Sequence, residues 1–405
     1  MNEMHSGRAL KPAIPVTVVT GFLGAGKTTL INRLAQDPAL AGTGFIINEF
    51  GEIGIDQLLV EAAAGEGIVE LSSGCLCCTV RGELVTALEN YLRGVDNGRI
   101  EHLTRVVIET TGLADPAPVL QTVLAHPYLS IRYRLDGVVT VVDAQHGATE
   151  LDEHEEAVKQ VAMADRLVLT KTDLVAEPGR LAALRARLVA LNPGASLLDA
   201  AAGEASAAAL LDCGLYDPTT KVPDVGRWLN DEAYADAGHD HHHAHHHEHG
   251  DDDHDCAGAA CDHPSHHDHS HDVNRHDARI RSFALAADRS VPAGALEMFL
   301  DLLRSAHGPK LLRLKGIVRL AEDQDRPIVV QGVQDVFYPP ERLDRWPGRD
   351  RRTRLVFITR DLPEEVVRRL FDAFVGALSP DTPDRAALLE NPLVLAGFTP
   401  PSQRR

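Results

Sequence analysis

Three cysteines lie within four consecutive positions of the chain, at Cys75, Cys77 and Cys78. Thiolates this close together can give three soft ligands to one tetrahedral transition-metal ion, with a carboxylate, an imidazole or water in the fourth place. Two other interpretations stay open, buried structural cysteines and redox chemistry, although the C-x-C spacing lacks the two intervening residues of common redox pairs. Because the motif holds no fourth cysteine, the pattern favours an exchangeable metal site over a permanent structural one.

A phosphate-binding loop is predicted at residues 21–28, where GFLGAGKT fits the pattern G-x-x-x-x-G-K-[ST]. The loop follows the apolar run Val16 to Thr20 and opens a stretch with helical patterning, which is the context that such a loop needs. Backbone N–H groups at a helix N-terminus bind phosphate oxygens, Lys27 would contact the β- and γ-phosphates, and the Thr28 hydroxyl would bind Mg²⁺. The nucleotide-binding residues predicted in this loop are Gly21, Gly24, Ala25, Gly26, Lys27, Thr28 and Thr29.

Two further motifs follow apolar runs and suit a GTPase. The segment 170–173, TKTD, resembles the [NT]-K-x-D signature, in which the Asp173 carboxylate accepts from the N1–H and N2–H₂ donors of guanine and the Lys171 stem covers the base. A surface turn is the alternative for a motif this short. Glu109 and Gly112 belong to a second strand-end segment, where the carboxylate can orient Mg²⁺ or the attacking water and the N–H can sense a γ-phosphate. Thr170, Lys171, Asp173 and Gly112 therefore join the predicted nucleotide site, with Lys27, Thr28 and Glu109 as its catalytic residues.

Charge and histidine are concentrated in one internal segment. The chain of 405 residues has a formal net charge of −19 and 21 histidines. Residues 239–277 hold 15 of these histidines, ten acidic residues and one arginine, a formal charge of −9. Imidazoles at this density predict transition-metal capture, whereas a solvated linker of biased composition is the alternative. Isolated His126 and His146, like Cys213, are more typical of core residues than of ligands.

The acidic balance argues against a nucleic-acid partner, whose binding depends on neutralising phosphates. A membrane span is not expected, because no run of 18 apolar residues occurs. The first twelve residues have no apolar core of a signal peptide, so a cytoplasmic location is expected.

Short apolar runs alternate with helical stretches through the first half of the chain, which predicts an α/β fold with a mostly parallel sheet. We assign this P-loop domain to residues 15–223 and a His/Asp-rich disordered linker to residues 224–278. A smaller α+β domain is predicted at residues 279–380, in the order β-α-β-β-β-α, with Ile328 to Val336 as one of its strands. The remaining segments, 1–14 and 381–405, are predicted tails.

Five motifs in this order resemble the CobW-like family of P-loop GTPases, related to the urease and hydrogenase maturation GTPases. They are GFLGAGKTT at residues 21–29, NEFGE at 48–52, GCLCC at 74–78, ETTGLADP at 109–116 and TKTD at 170–173. The stretches LLRLKG at 311–316 and VQGV at 330–333 are similar to the C-terminal domain of that family.

The resemblance implies a GTP-dependent metallochaperone, most often for zinc and in some members for cobalt. It implies that Cys75, Cys77 and Cys78 hold the metal beside the nucleotide switch. Some relatives add a carboxylate just before the Asn of the N-E-F-G stretch, but this chain has Ile47 there, so Glu49 is the nearest candidate for a fourth ligand. The expected partners are GTP, the metal ion and a client metalloprotein or apo-enzyme, with a homodimer as a further alternative.

These features predict a GTP-driven switch in which GTP and Mg²⁺ order the 48–52 and 75–78 segments together and hydrolysis relaxes both. Three alternatives remain. The same GTPase could serve cobalt or an enzyme-maturation pathway, the chain could be a metal store in which GTP is incidental, or it could be a P-loop kinase. The TKTD motif and the lack of a visible phosphoacceptor site disfavour the kinase.

Overall fold

A computed structural model describes residues 13–47, 68–70, 79–211 and 279–375. Within these residues, no helix is both long enough and apolar enough to cross a membrane. Several predictions fall outside them: the metal ligands Cys75, Cys77, Cys78 and Glu49, the His-rich segment, the tail 381–405 and residues 1–12 of the tail 1–14.

Seven strands in the order β3-β2-β4-β1-β5-β6-β7 form the sheet of the first domain, and every neighbouring pair is parallel. This confirms the predicted α/β fold with a parallel sheet. The strands are β1 Ile14–Gly21, β2 Thr43–Ile47, β3 Ile68–Glu70, β4 Arg105–Glu109, β5 Tyr133–Asp143, β6 Arg166–Thr170 and β7 Ser196–Asp199. The helices between them are α1 Lys27–Ala35, α2 Thr79–Asp96, α3 Ala117–Ala125, α4 Leu129–Arg132, α5 Gly147–Glu153, α6 Glu155–Met163, α7 Pro178–Leu191 and α8 Ala207–Leu210, with short 3₁₀ turns at Pro38–Leu40 and Thr172–Leu174.

Both faces of this sheet are covered, because successive side chains of a strand point to opposite faces. In β4, Val107 packs in the same cluster as Leu30 of α1, whereas Val106 and Ile108 pack with Leu88 of α2 on the other face. A strand that is apolar on both faces is buried between helices. Because all seven strands are parallel, their carboxyl ends lie at one edge of the sheet. That edge carries the predicted nucleotide site.

The second domain is an antiparallel sheet in the order β11-β10-β9-β13-β8, with β12 paired to β10. Its elements are β8 Ile280–Ala287, α9 Ala293–His307, a 3₁₀ turn Gly308–Lys310, β9 Leu311–Val318, β10 Ile328–Val333, β11 Val336–Phe337, β12 Glu341–Arg342, β13 Thr353–Arg360 and α10 Glu364–Val375. Phe283 and Phe357 of the sheet pack with Phe299 of α9 and Phe371 of α10. The predicted α+β domain is therefore confirmed.

One detail of that prediction is wrong. The run Ile328 to Val336 is not a single strand, because the backbone turns at Gln334, whose φ is +53°. The chain reverses there into β11, so that Val333 pairs with Val336. Apolar residues on both sides of Gln334 hide this hairpin from a reading of periodicity.

The two domains share a buried interface. Val333 of β10 packs among Val138, Leu120 and Met163 of the first domain. Ala162 of α6 packs in a cluster with residues of the second sheet, on the face opposite α9 and α10. At its centre, the buried Asp165 accepts from Arg313 at 2.5 Å and lies 2.6 Å from the Lys315 ammonium.

Candidate nucleotide-binding site

The loop between β1 and α1 has the backbone shape of a phosphate cradle. Gly21 ends β1, Gly24 is exposed, and Gly26 has φ +95° immediately before the first helical residue. A residue other than glycine rarely adopts this left-handed φ, so the sequence G-x-G-K is needed for the turn into the helix. Helix α1 begins directly after this loop, and the N–H groups at the start of a helix are the ones that bind phosphate oxygens. Lys27 is buried in the same turn, and its ammonium lies 3.1 Å from the Phe22 carbonyl oxygen.

The predicted Mg²⁺ residues are brought together across two strands. Thr28 Oγ1 donates to Oε1 of Glu109 at 2.9 Å, and Glu109 is only 2 % exposed at the carboxyl end of β4. A hydroxyl and a carboxylate are the hard oxygen donors that Mg²⁺ takes in nucleotide sites, and their convergence beside the phosphate loop fits that ion. Thr29 points to the surface in the next position of α1.

The segment after Glu109 lies directly against the phosphate loop. A Cβ on Gly112 would lie 2.7 Å from the backbone nitrogen of Leu23, so only glycine permits this approach. Thr110 donates to Thr20 at 2.8 Å, which ties the start of the segment to β1. The carbonyl of Gly112 accepts from Gln160 at 3.1 Å, and the same amide donates to Ala114 at 3.0 Å. The segment predicted to sense the γ-phosphate is therefore held at several points.

The turn TKTD, residues 170–173, is packed onto the other side of the loop. Thr170 donates to the carbonyl of Ala25 at 2.7 Å, and Lys171 donates to the carbonyl of Gly24 at 2.8 Å. Asp173 is exposed on the 3₁₀ turn that follows β6. The segments predicted to bind the base and the phosphates therefore contact each other, which would place a base and its phosphates in one continuous site.

Three residues of this site were missed by the sequence reading. Asp143 at the end of β5 lies 2.6 Å from the Lys171 ammonium, and Asp199 at the end of β7 accepts from Thr172 at 2.7 Å. Gln160 is fully buried within α6. Each belongs to no motif, and the one signal available was an aspartate directly ending an apolar run.

His146 is not the core residue that the sequence suggested. Its side chain is 68 % exposed, and Nδ1 lies 3.1 Å from Asp143. Burial alone would raise the pKa of the Asp143 carboxyl, but hydrogen bonds from Lys171 and His146 outweigh it and hold that pKa below its usual range. Nearby, burial is the main cause that raises the pKa of Glu150 to about 7, and the charge of Asp143 adds to it.

The metal ligands predicted from the cysteine motif cannot be placed against this site, because they lie outside the described residues. Inside the described ranges, no group of three His, Cys, Asp or Glu side chains is arranged to hold a metal ion. Helix α2 begins at Thr79, the residue directly after Cys78, so the described fold fixes the position at which the chain continues after the motif.

The parallel sheet, the glycine loop with its lysine, and the Thr–Glu pair at the strand ends define a P-loop nucleotide-binding protein. The chain belongs to the CobW/HypB/UreG family. The model of that family's nucleotide-binding domain matches residues 15–199, and the cobalamin synthesis protein CobW C-terminal domain matches residues 280–375.

Named relatives extend over nearly the whole chain. The zinc chaperone YjiA of Escherichia coli is 32 % identical over 359 residues, covering 88 % of this chain and 98 % of that protein. The zinc chaperone CobW of a Sinorhizobium species is 32 % identical over 407 residues, covering 92 % and 100 %. The crystal structure of Zn(II)-bound YjiA GTPase from E. coli matches with a TM-score of 0.58 and 26 % identity, over 90 % of this chain and 99 % of that one.

Proposed function

We propose that this protein is a cytoplasmic GTP-hydrolysing metallochaperone that binds zinc through Cys75, Cys77 and Cys78 and delivers it to a client protein. The observation that carries the proposal is the contact between the TKTD turn and the phosphate loop, which joins a guanine-type base reader to a P-loop. Relatives of nearly full length that are named zinc chaperones support zinc as the cargo.

In this proposal the chain's own groups bind and orient GTP. N–H groups of the loop and the Lys27 ammonium bind the phosphates, and the Asp173 carboxylate accepts from the guanine edge. Thr28 and Glu109 would hold Mg²⁺, which neutralises charge on the phosphates when bound. Gly112, in the segment after β4, lies against the loop, and its N–H would bind the γ-phosphate. Since an arginine finger cannot be named from the sequence, slow turnover is expected without a partner.

Metal binding would be coupled to the nucleotide through neighbouring segments. The cysteine motif immediately precedes α2, and α2 packs against β4, the strand that ends at Glu109. A change at Glu109 or Gly112 on hydrolysis would therefore reach the metal site over a short path. Coupling of this kind requires the zinc affinity to differ between the two nucleotide states, and the effect is then reciprocal.

The test measures zinc affinity by competition with a chelating dye, once with a non-hydrolysable GTP analogue and once with GDP. A difference of about fivefold or more is expected, within the ordinary range of coupling free energies. Cys77→Ser should abolish the difference, and Asp323→Asn in the second domain serves as a control variant of unchanged affinity. Equal affinities in both nucleotide states would contradict the proposal.

The histidine-rich segment favours a second candidate, a metal store in which GTP is incidental. Its 15 histidines could bind several ions without any help from the P-loop. Deleting residues 239–277 separates the two functions. Loss of all metal-linked growth phenotype on deletion favours storage, whereas loss only on Cys77→Ser favours the chaperone. Measuring zinc against cobalt in the same binding assay decides which metal the cysteine site prefers.

A further inference from the structure

The TKTD turn uses nearly all of its side chains to fix itself in place. Thr170 and Lys171 bind carbonyls of the phosphate loop, and Thr172 donates to Asp199. Asp173, in contrast, is exposed to solvent, and its carboxylate is therefore accessible to a ligand. Three residues thus hold the fourth at a set position.

The backbone of this turn is strained at its centre. Lys171 has φ +57°, a left-handed conformation that a residue with a Cβ rarely adopts. Such a conformation persists only where the surroundings determine it. The groups that determine it are therefore expected to matter for what the turn does.

Asp143 holds the turn from the side of β5. Its carboxylate is buried, lies 2.6 Å from the Lys171 ammonium and also accepts from the backbone N–H of Gln145 at 2.7 Å. The same ammonium reaches Gly24, so Asp143 fixes a side chain that bridges the base reader and the phosphate loop. Hydrogen bonds between charged groups are the stronger kind, and burial strengthens this one further.

Asp199 holds the turn from the side of β7. One oxygen accepts from Thr172 at 2.7 Å and from the N–H groups of Ala201 and Ala202, and the other accepts from Arg185 at 2.6 Å. One carboxylate therefore links the TKTD turn to the loop after β7, at the same edge of the sheet.

We propose that Asp143 and Asp199 are positioning residues that clamp the TKTD turn from two sides and thereby set the preference for guanine over adenine. This inference rests on the proposed binding of GTP. Both residues act through Lys171 and Thr172. Without the clamp the turn relaxes, Asp173 loses its fixed position, and the guanine-specific contacts weaken while the phosphate contacts remain.

The experiment compares dissociation constants for GDP, ADP and inorganic pyrophosphate in full-length protein, wild type against Asp143→Asn and Asp199→Asn. Each variant is expected to lower the preference for GDP over ADP about tenfold, the effect of losing one charge-assisted hydrogen bond. Pyrophosphate binding should change less than about threefold, since Asp143 and Asp199 act on the TKTD turn and reach the phosphate loop only through it. Asp323→Asn is the control, because Asp323 also forms ion pairs, with Arg326 and Arg342, but in the second domain.

Thr172→Val gives a second route to the same result. It removes the hydrogen bond to Asp199 and leaves Asp199 free to cap Ala201 and Ala202, so it tests the clamp without disturbing that loop. It should reproduce the loss of preference seen with Asp199→Asn. Unchanged GDP preference in folded Asp143→Asn and Asp199→Asn, or in Thr172→Val, would overturn the inference. A wild type without any preference for GDP over ADP would instead overturn the proposed function.

Discussion

Asp173 is the residue through which the site would read the base, and its substitution changes the hydrogen-bond pattern that the site offers. A carboxylate accepts from the N1–H and N2–H₂ groups of guanine, whereas xanthine carries a carbonyl oxygen in place of the amino group. Asp173→Asn places an amide donor opposite that oxygen. The variant should bind GDP at least about tenfold more weakly and bind xanthosine diphosphate more tightly than the wild type does.

Fluorescence competition with both nucleotides measures this exchange. Asp173→Ala is the control, because it removes the acceptor without adding a donor and should weaken GDP with no gain for xanthosine diphosphate. Retained GDP binding in Asp173→Asn would show that another group reads the base.

Glu150 makes the stability of the first domain depend on pH. Its pKa is raised from the ordinary 4.5 to about 7, mainly by burial. The folded chain therefore binds this proton more tightly than the unfolded chain, so the bound proton stabilises the folded state. This stabilisation is lost once the pH exceeds the pKa of Glu150 in the folded chain. The contribution of this proton to the free energy of unfolding is complete below about pH 4.5 and is lost as the pH rises through 7.

Glu150→Gln is expected to remove that loss. The variant should gain about 1–2 kcal/mol over the wild type between pH 5 and pH 8, after allowance for solvent screening of a half-buried group. Melting temperatures across this range measure the gain. The exposed Glu153→Gln on the same helix is the control, and an advantage of Glu150→Gln that stays constant with pH would contradict the assignment.

At the scale of elements, the close approach of the segment after β4 to the phosphate loop depends on Gly112. Gly112→Ala would put a Cβ 2.7 Å from the Leu23 backbone, which cannot swing away as a flexible side chain can. The segment must then shift by a fraction of an ångström to an ångström. Displacements of that size cost about 100-fold in rate when they misplace reacting groups, whereas GDP binding should stay within about threefold.

Single-turnover phosphate release and GDP affinity measure the two effects separately. Gly179→Ala is the control, since a Cβ at Gly179 meets nothing within 4 Å. Equal hydrolysis in wild type and Gly112→Ala would show that the segment can close without this contact.

Sequence patterns predicted the elements of the chain better than the contacts between them. Apolar runs located the cores of β1, β4 and β6, and the glycine pattern located the phosphate loop. The first half of β5 was missed, because Arg134, Asp136 and Gly137 interrupt its apolar run. Asp136 is buried there, and its charge is compensated by Arg105 of β4, which lies 2.6 Å away. That compensation arises only once distant strands pack together in the same fold.

The same reason explains why Asp143 and Asp199 escaped notice. Each looks like an ordinary polar residue where a strand ends, and its role appears only when β5, β6 and β7 are neighbours. Motifs are visible in sequence because their members are adjacent, whereas positioning residues act across the fold.

At the scale of the whole molecule, the segment ETTGLADP at residues 109–116 contacts the second domain directly. Asp115, within ETTGLADP, accepts from the N–H of Ala117, the first residue of α3, at 2.9 Å and from Gln334 at 2.8 Å. Gln121 of α3 donates to Asp335 at 2.8 Å. The hairpin between β10 and β11 thus lies against the segment that is predicted to respond to the γ-phosphate, so that segment forms part of the border between the two domains.

The stability of the interface between the two domains depends on Asp165. Its single carboxylate is the partner of two buried cations. Arg313 donates to it at 2.5 Å, and the Lys315 ammonium lies at 2.6 Å. Burial lowers the pKa of Lys315 to about 8, although the charge of Asp165 opposes the change. The opposing cations hold the pKa of Asp165 well below its usual range against the effect of burial. All three groups have lost their water, so each depends on the others.

Asp165→Asn should therefore lower the free energy of unfolding by about 3–5 kcal/mol, because it leaves two buried cations without their counter-charge. Replacing all three residues, as Asp165→Leu with Arg313→Met and Lys315→Met, should recover part of the loss, since an apolar trio needs no counter-charge but the buried N–H of Val138 loses its 2.9 Å hydrogen bond to Asp165. Asp361→Asn is the control: its partner Arg279 is exposed, and exposed pairs contribute about 0–1 kcal/mol. Urea denaturation followed by circular dichroism measures all of these differences. A loss in Asp165→Asn no larger than in Asp361→Asn would mean that the buried ion cluster adds no more to stability than an exposed pair, and that the other contacts of the interface, such as those of Val333 and Met163, hold the domains together.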